Sequence, residues 1–201
     1  ELGLPSNDLP RCWEIIERGA TREVDLPLAN DQHFVQLAGV GFDAQVLKET
    51  RWQDRRDYGP LSYLMSAVGV ASRKPPLLRV IAEGQPDRAG SFVLVGNGRF
   101  YGGAVTLFRD AAVDDGLLDI LVFKHQGFLD IARYLQSALV GLHDHLPDVE
   151  YFQAARLQVT SDEFVPVEVD GELLGYVPVA FQFSDRHLRV RTSCPEDEQQ
   201  K

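Results

Sequence analysis

Short runs in which apolar and polar residues alternate dominate the chain. Thr21 to Ala29 reads as a strand with Val24, Leu26 and Leu28 on one face. His33 to Val40 reads as a second, ending in Gly39-Val40-Gly41-Phe42-Asp43. Leu77 to Ala82 and Ser91 to Val95 are short apolar strands flanked by Pro and Gly, and Leu117 to Phe123 is strongly apolar. Tyr151 to Thr160, Val165 to Val169, Val179 to Phe183 and His187 to Val190 follow at close spacing. So many short strands between turn residues predict a β-domain of sandwich or barrel type.

Three helices interrupt this rhythm. Pro10 to Arg18 is short, with Trp13, Ile15 and Ile16 as its apolar surface. Gly59 to Ser72 carries Leu61, Leu64, Met65, Val68 and Ala71 at spacings of three and four. Core packing is its expected fate, with an apolar cleft beside it as the functional alternative. Gly127 to Leu142 repeats the spacing with Phe128, Ile131, Leu135, Ala138 and Leu142, and its Asp130 suits the helix dipole. No linker or repeat is visible, so residues 1–192 are expected to form one domain, followed by a flexible acidic tail over 193–201.

Composition narrows the classes. At 201 residues and 44% hydrophobic, the chain can build a substantial core. Its 30 acidic and 20 basic residues give a net charge of −10, which argues against a nucleic-acid partner. A small phosphate ligand remains open, because a divalent cation can mediate that contact. Cys12 and Cys194 make neither a disulfide framework nor a zinc site and read as reduced thiols, which predicts a cytoplasmic protein. No apolar run reaches the length of about 18 residues that a membrane span needs. No basic-then-apolar leader is visible, and the chain, lacking an initiator Met, opens as if cut from something longer.

Four segments could carry chemistry. Val95 to Gly103 places four glycines around Asn97, which suits a turn or the close approach of a ligand. Asp114-Asp115-Gly116-Leu117-Leu118-Asp119 is first a turn signal; alternatively, a carboxylate and freed carbonyls there supply oxygen ligands to a hard cation. In Val167-Glu168-Val169-Asp170-Gly171-Glu172, alternation points Val167 and Val169 one way and Glu168 and Asp170 the other. Asp170-Gly171 makes a tight turn with Glu172 at its edge, either a solvated acid or a general base toward a hydroxyl. Asp43, after Gly39-Val40-Gly41-Phe42, reads as the cap of a helical turn through Val46 and Leu47. His143-Asp144-His145 reads as solvated loop histidines rather than a metal pair. Lys48 to Arg56, with Arg51, Arg55, Arg56 and Trp52, reads as a mixed-charge loop rather than a membrane patch.

Taken in order, these segments resemble the C-terminal domain of the diacylglycerol kinase/sphingosine kinase superfamily, nearest to the bacterial soluble lipid kinases. The resemblance runs through Leu2-Gly3-Leu4-Pro5, Gly39-Val40-Gly41-Phe42-Asp43, Tyr58-Gly59-Pro60-Leu61-Ser62-Tyr63, Gly96-Asn97-Gly98 with Gly102-Gly103, Asp114 to Asp119, and Val169-Asp170-Gly171-Glu172. Each is weak alone; six in one order are specific. Two departures are Ala104, where the glycine run often extends, and Arg109, where a Pro commonly precedes the metal turn.

The resemblance implies a mainly β, antiparallel β-sandwich-like C-terminal domain of the NAD kinase/diacylglycerol kinase-like fold with two to three helices. It implies ATP-dependent transfer of a phosphoryl group to a lipid hydroxyl, with Glu172 as the base. Mg²⁺ is then held by the Asp115 carboxylate and the carbonyls of Ala112 and Leu117, and a second Mg²⁺ travels with ATP. The family's nucleotide-binding domain, with its Gly-Gly-Asp-Gly-Thr and Gly-Thr-x-Asn-Asp segments, does not occur in this sequence. By this reading the chain alone is inactive and its partners are that domain and a lipid at a membrane surface, where it sits peripherally. An edge strand offers a homodimer contact. The alternatives are a related NAD or sphingosine kinase, or a non-enzymatic lipid-binding module.

Overall fold

Two six-stranded antiparallel sheets face each other and enclose the main core. The computed structural model describes residues 2, 4, 7–50, 60–101 and 105–193, with main chain alone for 60–65. The first sheet has the order β2 (Gln32–His33), β1 (Ala20–Ala29), β14 (Val179–Thr192), β11 (Arg156–Thr160), β4 (Leu78–Ala82) and β5 (Arg88–Gly90). The second runs β10 (Val149–Ala154), β9 (Leu118–Phe123), β6 (Phe92–Gly96), β3 (Leu37–Val40), β12 (Pro166–Val169) and β13 (Glu172–Tyr176). A small hairpin pairs β7 (Phe100–Tyr101) with β8 (Val105–Thr106). The fold is therefore mainly β, an antiparallel sandwich.

The two sheets differ in how many faces they bury, and the sequence pattern follows. In the first sheet, Leu78, Val80 and Ala82 enter the core while Arg79 and Ile81 face water, the alternation of a one-sided sheet. The middle strands of the second sheet, β9, β6, β3 and β12, are covered on both faces. Val93, Val95, Leu118, Ile120 and Val122 pack between the sheets. Phe92, Leu94, Leu121 and Phe123 pack outward, beneath Tyr134 and Ala138 of a helix. Continuous apolar runs are the consequence: every residue of β6 and β9 is buried.

Four α-helices occur among the described residues: α1 (Leu9–Arg18), α2 (Phe42–Glu49), α3 (Pro60–Ala71) and α4 (Phe128–Leu139). The additional one is α2, where only a capped turn is expected. Of the apolar residues on α1, only Ile15 is buried, while Trp13 and Ile16 face solvent. On α4 the buried stripe is Tyr134 and Ala138, and Phe128, Leu135 and Leu142 are exposed.

Three strand readings change. Tyr151 to Thr160 is two strands, because the chain bends at Ala155 and passes from one sheet to the other. Val179 to Val190 is one strand, β14, paired along β1. A bulge between Asp25 and Pro27 shifts the phase of β1, so Val24, Pro27 and Ala29 are buried and Leu28 is not. Residues 51–59, which hold most of the Lys48 to Arg56 segment, lie outside the described residues, as do Gly102, Gly103, Ala104 and the tail from Cys194 onward.

Candidate functional site

The hairpin joining β12 to β13 turns on two residues of positive φ, Asp170 at 48° and Gly171 at 83°. Both values suit the tight turn whose twist matches that of the flanking strands. Val169 pairs with Glu172, so the turn leaves Glu172 exposed at the start of β13. Asp170 also does a second job. Its Oδ2 accepts from the Val35 N–H at 2.6 Å, and its Oδ1 from the N–H groups of Gln36 and Leu37 at 2.9 and 3.1 Å. Its own N–H donates to the Leu37 carbonyl at 2.8 Å. The turn is thus locked onto the bend before β3.

That bend rests on Asn97, which is 1% exposed. The Asn97 side-chain amide donates to the carbonyls of Val35 and Asp25, at 3.0 and 3.2 Å. Its main-chain N–H donates to Gln36 O at 3.0 Å. Asn97 therefore works as a bridge rather than as a plain turn residue, and Gly96 before it leaves room for the Phe108 ring.

Asp25 carries the path onward. Its Oδ2 accepts from the Gly116 N–H at 2.8 Å, and its N–H donates to Val113 O at 2.7 Å. Gly116 has φ of 71°, a conformation that favours glycine. Arg22 takes Asp114 Oδ2 through two nitrogens at 2.9 and 2.7 Å. Asp115 keeps its carboxylate at the surface, with Oδ1 accepting from Leu117 N–H at 3.0 Å. Ala112 and Leu117 lie outside strands and helices, and among the described turn bonds neither carbonyl accepts one. One carboxylate and two such carbonyls form the oxygen donor set that a hard cation takes. Among the described residues no group of three or more His, Cys, Asp or Glu side chains is placed to hold a metal ion. Arg109 points away from this turn, donating to Gly141 O and Asp144 at 2.8 and 3.0 Å.

On the outer face of the second sheet lies a cavity of about 130 Å³. Its walls are mostly apolar, with Phe42, Phe92, Leu94 and Phe123 from one side and Ile131 and Ala138 of α4 from the other. Phe92 and Phe123 stack at 4.3 Å. Tyr134 closes one side, its hydroxyl donating to Asp148, which Arg133 also binds. Those two donors hold the Asp148 carboxyl below its usual range against the opposing effect of burial. His143 belongs to this wall: it is 3% exposed, its Nε2 lies 2.6 Å from Leu107 O, and only His145 of the pair is solvated. None of the described side chains of α3, residues 66–71, lines the cavity.

Asp43 is the acid of the cavity wall. The N-terminal cap of α2 is Gly41, so Asp43 sits in the first turn and caps nothing. Its Oδ1 accepts from the Tyr101 hydroxyl at 2.6 Å. Behind it lies Glu168, 2% exposed, whose Oε2 accepts from the Gly171 N–H at 2.8 Å. Burial and then the Asp43 charge push the Glu168 carboxyl up to about 8, and burial raises Asp43.

The structure therefore brings Glu172, Asn97 and the Asp115 turn into one hydrogen-bonded unit and adds Asp25, Asp43, Tyr101 and Glu168, which the sequence reading does not assign to it. Glu168 had one signal, a charge between two valines, which reads equally as a wet strand face. Asp25 had none.

Over residues 36–192 the sequence matches the family described as YegS C-terminal NAD kinase beta sandwich-like domain. It is 25% identical over 191 residues to the diacylglycerol kinase of Bacillus subtilis (strain 168), covering 94% of this chain and 63% of that protein. It is 27% identical over 198 residues to that of Staphylococcus carnosus (strain TM300), covering 98% and 64%. The chain thus spans a little under two thirds of the length of these relatives. A solved structure from Bacillus anthracis str. Sterne shares the fold, with a TM-score of 0.72 at 24% identity over 91% of this chain and 60% of that one. A second from that organism, described as a diacylglycerol kinase, aligns with a TM-score of 0.61 at 20% identity, over 90% and 57%.

Proposed function

The chain belongs to the YegS C-terminal NAD kinase beta sandwich-like domain family, and from that premise we propose that it is the acceptor-binding part of a lipid kinase. The reaction is ATP- and Mg²⁺-dependent transfer of the γ-phosphoryl group to the hydroxyl of a diacylglycerol-like lipid. The observation that carries this reading is the path from Asp170 through the Val35–Leu37 bend, Asn97 and Asp25 to Gly116. It ties the turn bearing Glu172 to the turn bearing Asp115, and Gln36 continues it to Phe100, beside the Tyr101 of the apolar cavity. The names of the relatives support the acceptor class.

In this reading the cavity takes part of an acyl chain and Glu172 accepts the proton of the lipid hydroxyl. The hydroxyl oxygen forms the new bond to phosphorus, the bond from phosphorus to the nucleotide's bridging oxygen breaks, and ADP leaves with that electron pair. Asp115 and the carbonyls of Ala112 and Leu117 would hold a Mg²⁺, which when bound supplies positive charge near the transferring phosphate. Phosphoryl transfer asks a protein mainly for positioning and charge, and a rigid network of turns provides the first. The nucleotide is bound mainly by a domain outside this chain, and the lipid is met peripherally at a membrane surface. Among the described residues no helix is long and apolar enough to cross a membrane.

The test uses the natural polypeptide that contains this chain, assayed with diacylglycerol, sphingosine, phosphatidylglycerol and NAD. Glu172→Gln is expected to abolish phosphorylation of the lipid while the circular dichroism spectrum stays unchanged. Near-wild-type turnover in that variant refutes the base assignment. Preference for NAD, or liposome binding with no phosphorylation of any acceptor, refutes the lipid-kinase reading.

A further inference from the structure

Glu168 stands in β12, between β3 and β13, on the face opposite Val167 and Val169. That face is covered by α2, which sets the Asp43 carboxyl beside that of Glu168, both at the edge of the space that Gly39 leaves. Carboxylate oxygens only accept, so two buried carboxyls set side by side bond each other only through a proton held by one of them. Glu168 Oε1 is buried with no hydrogen-bond partner among the described residues, while Oε2 takes the Gly171 N–H. Gly39, opposite Glu168 on β3, makes the space: a Cβ there would lie 2.8 Å from Glu168 Oε1 and 3.1 Å from Asp43 Oδ2.

We propose that Glu168 and Asp43 share one proton, and that Glu168 is the positioning residue that fixes the Gly171 amide, and so Glu172, relative to the wall of the apolar cavity. The catalytic consequence rests on the lipid-kinase reading; the shared proton does not. The pair spans two functions: Asp43 and Tyr101 line the cavity, and Glu168 grips the turn. The titratable groups facing it are Asp43 on α2, Tyr101 on β7 and Asp170 in the turn. With acids on two sides and burial, Glu168 keeps its proton to about pH 8.

Two variants separate the roles. In Glu168→Gln the amide donates to Asp43 and the carbonyl accepts from Gly171, so both bonds survive and position 168 no longer titrates. In Glu168→Ala both are lost. The stability sign follows from linkage. An acid whose folded value is raised contributes stability that is fully present below its unfolded value, about 4.5, and lost as pH climbs to about 8. The melting temperature of wild type is therefore expected to fall relative to E168Q across that window and to run parallel above it. Carbon-13 titration of the chain should place Glu168 near the top of the same window. In the natural polypeptide, E168Q is expected to keep kcat and to lose less of it than wild type above pH 8. E168A is expected to lose up to about 10²-fold in kcat with the lipid KM changed far less. Glu168 titrating below about pH 5, or E168Q behaving like E168A, overturns the proposal even if E168A fails to fold. A wild-type polypeptide that phosphorylates no lipid overturns Glu168's catalytic role along with the kinase reading, and leaves the shared proton to be judged by titration alone.

Discussion

Replacing Asp170 by Ala removes the acceptor of three main-chain N–H groups at once. They are not equal. Leu37 is 9% exposed, so its N–H finds little water, and leaving such a donor unpaired costs about 1–3 kcal/mol. Val35 is 45% exposed and Gln36 is half-buried, so water replaces part of what they lose. Alanine at φ of 48° adds about 1 kcal/mol, because its Cβ crowds the left-handed region that Asp tolerates. Together the loss is about 3 kcal/mol, or about 6–12 °C in melting temperature for a chain of this size. Asp170→Asn is the control. Oδ1 serves the two less exposed donors, so an amide that keeps its oxygen there loses only the Val35 contact, about 1 kcal/mol or 2–4 °C. Thermal melts of wild type, D170A and D170N at neutral pH measure both. A D170A shift under about 2 °C would mean that the lock carries no weight. Equal losses in the two variants would move the cause from acceptor geometry to charge.

Three further outcomes are expected. In Gly96→Ala the new Cβ would lie 2.4 Å from two ring carbons of the fully buried Phe108, costing about 1–3 kcal/mol in denaturant titration, and Phe108→Leu in the same chain should return part of it. Asp148→Asn should flatten the acid side of the stability profile: the lowered carboxyl contributes stability above about 3.8 that is lost as pH falls through its folded value, so wild type and variant converge on acidification in urea midpoints at pH 7 and 3. Mg²⁺ is expected to raise the melting temperature of wild type by binding the folded state and not that of Asp115→Ala; equal Mg²⁺ titrations of the two would count against a cation in that turn.

How much of this was legible in the sequence depended on what lay across from each residue. β4 reads as a strand because water covers one face, and β6 and β9 because neither face is wet. Tyr151 to Thr160 reads as one strand because both halves alternate, and no Gly or Pro marks the bend at Ala155 where the chain changes sheets. Leu26 and Leu28 were misplaced by a bulge that only the pairing with β14 creates. Glu168 was correctly set opposite Val167 and Val169, yet that face is dry because α2 packs on it. The bonds that tie the turns of the site to one another join residues 62, 72, 91 and 133–135 positions apart, and local pattern carries no information on such pairs.

The turn and chemical readings of the acidic glycine segments also prove to be the same reading. Asp170 is a turn residue because it tolerates positive φ, and the conformation that puts it there aims its carboxylate at three amides. Asp114 and Asp115 look equivalent in sequence, but Arg22 occupies the first and leaves the second open at the surface. Gly116 and Gly171 permit backbone that other residues resist, and each then gives its N–H to a carboxylate elsewhere, Asp25 and Glu168. A net charge of −10 is consistent with this use of acids: several of them serve here as internal acceptors for main-chain donors. Removing one such carboxylate should therefore disturb a turn before it disturbs a charge, which is why the neutral variants Asp170→Asn and Glu168→Gln, rather than alanine alone, decide between the two.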